Sequence, residues 1–287
     1  MIADILSVAL KALAYLTLLQ AAGGALYQAT GGSRLEQSTR AVRTLIMSSA
    51  VACITFTALH VTMEAGRMSG EMSGVFDGRL QRLAWQSALG AAASLRILGM
   101  ALVAVYGLLE ISPTAVGRTI GAVTAMASLT LVGHTSTHPE RWMLAPLLSF
   151  HLLVAAWWFG SLIPLAIAVR QESPAHARAL VDRFSAIAVW LVPALALAGV
   201  LMAVVIAKGR YSTTDSYDLA LTGKAIGFAL LMGLAALNRW RLGPAVATGG
   251  AGAVRALGFS LAIEFVVMSG VVVLTAVMTS LFSPEQI

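Results

Sequence analysis

The stretch Met143-Leu-Ala-Pro-Leu-Leu-Ser-Phe-His151-Leu-Leu-Val-Ala-Ala-Trp157-Trp158-Phe-Gly160-Ser-Leu-Ile-Pro164-Leu-Ala-Ile-Ala-Val169 contains no charged side chain, and Arg141 and Arg170 flank it. A hydrocarbon core of ~30 Å needs about 20 apolar residues in a helix, so this stretch alone is long enough to cross a bilayer. Runs of the same kind recur at 4–27, 41–63, 84–108, 115–133, 185–207, 219–240 and 256–281. Lipid requires every backbone N–H and C=O to be satisfied within the segment, and no run alternates with period two as a barrel strand would. The expected fold is all-α: a polytopic transmembrane bundle of about eight helices with both termini on one side.

Composition agrees with that reading. Of 287 residues, 58% are hydrophobic and 11% charged, and mean hydropathy is +0.83. A soluble domain carries roughly 25% charged residues. The net charge of +6 marks topology rather than a nucleic-acid partner, because the basic residues collect in loops on one side. Arg34, Arg40, Arg43, Arg118, Arg170, Arg178, Arg183, Arg239, Arg241 and Arg255 follow the odd-numbered spans. The opposite loops hold fewer, diluted by Glu64, Glu71, Asp77, Glu140, Asp215 and Asp218. The positive-inside rule makes the first set cytoplasmic and puts both termini outside. No Lys or Arg precedes the first apolar run, which therefore reads as a transmembrane helix and not a cleaved signal. Residues 1–287 read as one integral membrane domain, with helices one to three in 1–114 and the other five in 115–287.

With this orientation His60, His134, His138 and His151 fall near helix ends on the outer side, and only His176 is cytoplasmic. His60, Met63 and Glu64 share a helical face at i, i+3 and i+4. Met68 and Met72 would extend that spacing, although Gly66 and Gly70 favour a loop there. Imidazole plus thioether suits copper, above all Cu(I), while a histidine-only subset would suit Cu(II). His134 and His138 are again i, i+4, with Thr130 one turn away and able to orient the His134 ring. Cys53, two turns below His60, is either a deeper station for Cu(I) or a small apolar filler. Outward histidines also serve as interfacial anchors, and methionines as core filler, so each ligand competes with a bland alternative. Arg96, Glu264, Lys224 and Lys11 lie inside expected spans, where an unpaired charge is expensive. Matching depth makes Arg96–Glu264 the expected pair, and Asn238 beside Trp240 reads as an interface anchor.

From Gly133 to Leu281 a series of segments occurs in a characteristic order. It comprises Gly133-His134, the His151-to-Pro164 stretch quoted above, Arg183-Phe184-Ser185, Gly223-Lys224, Asn238-Arg239-Trp240-Arg241, Glu264 and Leu274-Thr275-Ala276. In this half the chain resembles the copper resistance protein D (CopD) family of bacterial inner-membrane proteins. The first half fits only by helix count and by the His/Met content between helices two and three. The resemblance implies copper passage from periplasm to cytoplasm, beside a periplasmic copper-binding partner of the CopC type that here would be a separate protein. It also makes His134 and His151 the favoured ligands.

The leading expectation is a copper-importing membrane protein, with membrane lipids as its other partner and no catalytic residues. No Walker A motif is present, so no nucleotide drives it. One alternative is a copper receptor or assembly scaffold that does not transport. Another is a b-type haem or copper redox protein, with His60 and His134 as axial ligands.

Overall fold

The computed structural model describes residues 2–31, 35–109, 114–207, 215–246 and 250–281, and the chain folds as an all-α helical bundle. Helix α1 spans Ile2–Thr30, α2 Thr39–Ser69, α3 Gly78–Gln86 and α4 Ala88–Leu108. They are followed by α5 (Thr114–Ala127), α6 (His134–Thr137), α7 (Arg141–Gln171), α8 (Pro174–Ala207), α9 (Ser216–Leu237), α10 (Gly243–Val246) and α11 (Ala251–Leu281). A 3-10 turn at Met72–Phe76 precedes α3, another at Ser128–Leu131 follows α5, and a π-helical turn at Asn238–Leu242 joins α9 to α10.

Among the described residues, seven helices are long and apolar enough to cross a membrane. The eighth expected span, at 115–133, is a shorter apolar helix continued by the 3-10 turn. The expected run at 84–108 is also divided: Ser87 ends α3 and caps α4, its hydroxyl accepting from the Gly90 amide. Asp77 and Asp215 cap α3 and α9 in the same manner. The N-terminal half of α1 lies beside the C-terminal end of α11, where Lys11 Nζ donates to Thr279 O at 3.2 Å and Ser280 Oγ at 3.0 Å.

Helices α1 and α7 form the centre. Helix α1 packs on α2, α7, α5 and α11, and 67% of the apolar stretch of α7 is buried. Their contact is backbone against backbone: a Cβ on Gly23 would lie 1.7 Å from Ala156 O, and one on Gly160 would lie 2.5 Å from Gly23 C. Small residues are required wherever two helices approach this closely, and Gln20 Nε2 donates to Gly160 O at 3.1 Å across the same crossing. Gly99 and Gly121 bring α4 and α5 together in the same way. Stacked rings of Trp157 and Phe184 join α7 to α8, and Phe159 with Phe265 joins α7 to α11. Outward-facing Trp190, Trp240, Phe259 and Val266 are all more than two-thirds exposed, as expected of side chains whose solvent is lipid.

At the opposite end from Lys11, Glu172 ties the start of α2 to the α7–α8 junction. Its carboxylate accepts from Ser38 Oγ at 2.6 Å and from the backbone amides of Glu36, Gln37 and Ser38. Burial pushes this carboxyl up, and those four hydrogen bonds outweigh it and hold the group below its ordinary value.

Candidate metal site

Helix α2 runs unbroken past Gly66 to Ser69, and only Gly70, with φ 77°, ends it. The loop expected from Gly66 onward therefore begins four residues later. His60 and Met63 are both 9% exposed, whereas Met68 and Met72 are 55% and 41% exposed. The four expected ligands of this segment thus split into an inner pair on the buried face of α2 and an outer pair at the rim. Gln81 of α3 holds the rim segment down, its amide donating to Thr62 O at 3.0 Å and Val75 O at 2.7 Å.

Glu64 lies one turn beyond His60, with Oε1 3.9 Å from His60 Nε2. Its carboxylate accepts from Ser7 Oγ at 2.7 Å and from Arg67 Nη1 at 3.0 and 3.2 Å, and Arg67 Nε donates to Asp4 at 3.1 Å. A chain of alternating charge therefore links α1 to α2 above His60, and Glu64 enters it already neutralised.

His151 occupies the face of α7 that meets α8. Its Nδ1 is 3.1 Å from Leu195 O, and because a carbonyl can only accept, Nδ1 carries the proton. The lone pair is left on Nε2, the arrangement seen when a histidine is oriented for a metal by a backbone carbonyl. Gly199 makes room for the ring: a Cβ there would lie 3.3 Å from His151 Cε1.

His138 is arranged the opposite way. Its Nδ1 accepts from the Glu140 amide at 3.0 Å, so in the neutral ring Nε2 carries the proton, and that buried Nε2 has no partner. A metal at Nε2 would require the tautomer that breaks the Glu140 bond. His134 opens the single turn of α6, and its side chain lies outside the described residues. Thr130 donates to Ala127 O at 2.8 Å. Among the described residues, no three of His, Cys, Asp and Glu come together as a metal-holding group. The candidate ligands at this end are therefore distributed along the helices: Met68 and Met72 at the rim, His60 with Met63 below them, and His151 on α7.

The remaining intramembrane polar residues, Lys224 apart, have their own partners. Cys53 is buried, its Sγ 3.7 Å from Ala14 O and 3.9 Å from Thr57 Oγ1. Arg96 Nε donates to Ser128 Oγ at 3.2 Å, and its guanidinium lies 5.9 Å from the centre of the Tyr15 ring. Glu264 accepts a hydrogen bond from the Asn238 amide, and the Trp158 side chain lies beside it. The expected Arg96–Glu264 pair does not form. Helix α4 packs on α2, α5 and α1, while α11 packs on α7, α9 and α1, so equal depth does not make the two residues neighbours. Asn238 is likewise buried and engaged, and does not serve as the surface anchor its Trp240 neighbour suggested. Lys224 is half-buried on α9 and has no hydrogen-bond or ion-pair partner among the described residues.

Two family models match the chain. Residues 1–142 match the N-terminal domain of copper resistance protein D-like proteins, and residues 178–278 match copper resistance protein D itself. The chain belongs to the CopD family. Curated proteins and solved structures yield no match. The first half, whose fit rested on helix count and His/Met content, carries the family's N-terminal domain, with His60, Met63, Arg96, His134 and His138 inside it. Lys224, Asn238 and Glu264 lie in the CopD match, whereas His151 and Trp158 occupy the stretch between the two. Membership makes this a copper-resistance-related, multi-pass membrane protein. Sequence reasoning missed Asn238 as the partner of the CopD-half carboxylate, and Trp158 as its neighbour. The one available signal was an amide and an indole within apolar runs.

Proposed function

We propose that this CopD family protein carries copper, as Cu(I), from the periplasmic face of a bacterial inner membrane toward the cytoplasm. The observation that carries the reading is His151: an imidazole within a span, its Nδ1 proton committed to Leu195 and its Nε2 lone pair free. A neutral imidazole is far cheaper to hold in a bundle than a charged group, and a metal keeps it neutral.

In this reading the exposed thioethers of Met68 and Met72 take copper from solution or from a separate CopC-like protein. His60 and Met63, buried one to two turns inward on α2, receive it next. The Glu64 carboxylate beside His60 is neutralised by Arg67, so it steadies the imidazole without adding a hard anionic ligand that would favour other cations. In this reading His151 on α7 takes the copper on from there. The protein acts as a carrier with no covalent chemistry, and copper is its cargo.

The deciding experiment is copper uptake into proteoliposomes under reducing and oxidising conditions, with His60→Ala, His134→Ala and His151→Ala alongside the parent. Uptake under reducing conditions that is abolished in His151→Ala supports import of Cu(I). Copper binding without uptake would instead make the protein a receptor or assembly scaffold. A Soret band in the purified protein would overturn both in favour of haem.

A further inference from the structure

Glu264 lies on α11 with 2% of its surface exposed, and none of the described ion pairs includes it. The charged groups on the elements packed against α11 are engaged elsewhere, exposed or placed several turns away. Lys11 of α1 is bound to Thr279 and Ser280, Asp4 is bound to Arg67, and Arg239 donates to Ser185 O. Arg170 of α7 lies against Gly258, and Arg241 and Arg255 are exposed. Lys224 and Asp218 of α9 sit nearer the other end of that helix, more than three turns from Asn238. Among the described residues, the hydrogen bond from Asn238 reaches the carboxyl and the Trp158 side chain lies beside it.

The surroundings are built to serve a group that changes state. Asn238 begins the π-helical turn, in which the Gly243 amide bonds back to Asn238 O, and a Cβ on Gly243 would lie 2.9 Å from that oxygen. Single π-helical turns inside otherwise regular helices are frequent at functional sites. Here the turn leaves Asn238 buried while Trp240, two residues on, is 73% exposed. The Asn238 Oδ1 and, one turn from Glu264 on the same face of α11, the Ser260 Oγ are buried with no hydrogen-bond partner. An asparagine offers a donor on one side and an acceptor on the other. Its Nδ2 satisfies the carboxylate, and after rotation its unpartnered Oδ1 accepts from the carboxylic acid.

We propose that Glu264, held by Asn238 at the π-helical turn, is a proton-binding carboxyl, and that its protonation is linked to copper movement through the bundle. An anionic carboxyl without a cation is poorly tolerated inside a membrane, and buried acidic residues there mark proton relays. Trp158 lies on α7 seven residues inward of His151, on the same stripe of that helix. One rigid element thus touches both the metal-ready imidazole and the carboxyl. The proton transfers to or from a carboxylate oxygen of Glu264, with water as the other partner, and no bond to copper is made there.

This coupling rests on the transport reading, whereas the carboxyl itself does not. The test is infrared difference spectroscopy of the reconstituted protein as pH is stepped, in ordinary and deuterated water, for the parent, Glu264→Gln and Asn238→Ala. A protonated-carboxyl band that titrates, shifts on deuteration, disappears in Glu264→Gln and moves in Asn238→Ala is expected. No band that distinguishes the parent from Glu264→Gln overturns the proposal. In parallel, copper uptake is measured with and without an imposed pH gradient. The parent is expected to respond to the gradient and Glu264→Gln to ignore it. Equal response in both breaks the link to copper. No uptake in the parent sinks the transport reading while the titrating band stands.

Discussion

The Nδ1 of His151 donates to the backbone carbonyl of Leu195 at 3.1 Å, which places a metal-ready Nε2 inside the bundle at a position fixed by two helices. Gly199, one turn further along α8, is what lets the ring lie there. Gly199→Ala is expected to push the ring off by a few tenths of an ångström and weaken copper binding by about tenfold, the scale of changes that misorient a ligand histidine. Isothermal titration with Cu(I) under a competing chelator measures this. Unchanged affinity would remove His151 from the site.

Met68 and Met72 are exposed at the rim and support little packing. The double variant Met68→Ala/Met72→Ala is expected to keep the parent melting temperature within a degree or so, since exposed substitutions fall within about 0.5 kcal/mol. Its copper uptake is expected to fall at low copper and recover at high copper. A loss at all concentrations would place the two thioethers in the transport path itself.

Arg67 bridges Asp4 and Glu64. Arg67→Met leaves the half-buried Glu64 charge with only Ser7 as a close donor, and is expected to destabilise the protein by about 1–2 kcal/mol, since removing one partner strands the other. Thermal unfolding in detergent, repeated with Glu64→Gln/Arg67→Met, separates the stranded charge from lost packing. The double variant should recover part of the loss.

Glu172 sets a pH limit. Its folded-state carboxyl is held below the ordinary value of 4.5 by Ser38 and three amides, despite burial. A depressed acid contributes stability that is complete above its unfolded value and lost as pH falls through the folded one. Melting temperatures of the parent and Glu172→Gln are therefore expected to differ at neutral pH and to draw together only as pH falls below the ordinary carboxyl value of 4.5 and through the folded one. Parallel curves over that range would show that the α7–α8 junction does not depend on the charge.

A Cβ on Gly160 or Gly23 has nowhere to go, because the opposing backbone occupies the space. Gly160→Ala is expected to cost about 3 kcal/mol or more, at the upper end for overpacking, where backbone must shift. Gly233→Ala, at a position with open space around it, is the control and is expected to be neutral or slightly stabilising. Recovery of folded protein from membranes reads both.

Span positions were legible because length and hydropathy report directly on the bilayer. The all-α class and the family followed from them and from the ordered series of residues in the second half. The short fifth helix was harder to see: 115–133 is apolar throughout, and hydropathy does not register the change to a 3-10 turn at Ser128. Gly66 was read as a breaker, yet it lies on a buried face where Val75 closes over it, and tertiary packing carried α2 on to Ser69. Depth along a helix can be counted from the sequence, but the direction a residue faces depends on neighbours. That is why Arg96 and Glu264 matched in depth and still found separate partners in Ser128 and Asn238. The two histidine tautomers, opposite at His138 and His151, depend on which backbone group each ring meets, and no spacing encodes that.

The bare-backbone crossing of α1 and α7 also determines where the protein has freedom to change shape. Two main chains locked at Gly23 and Gly160 cannot slide or rotate without colliding, so that pair serves as the fixed frame. Helices α8 and α9 bury only 22% and 11% of their apolar stretches and leave the rest half-buried or exposed. In the proposed carrier, an inward opening that releases copper past His151 would come from these outlying helices swinging against that frame. Cross-linking α8 to α7 would arrest such a cycle, whereas cross-linking α1 to α7 would leave it running.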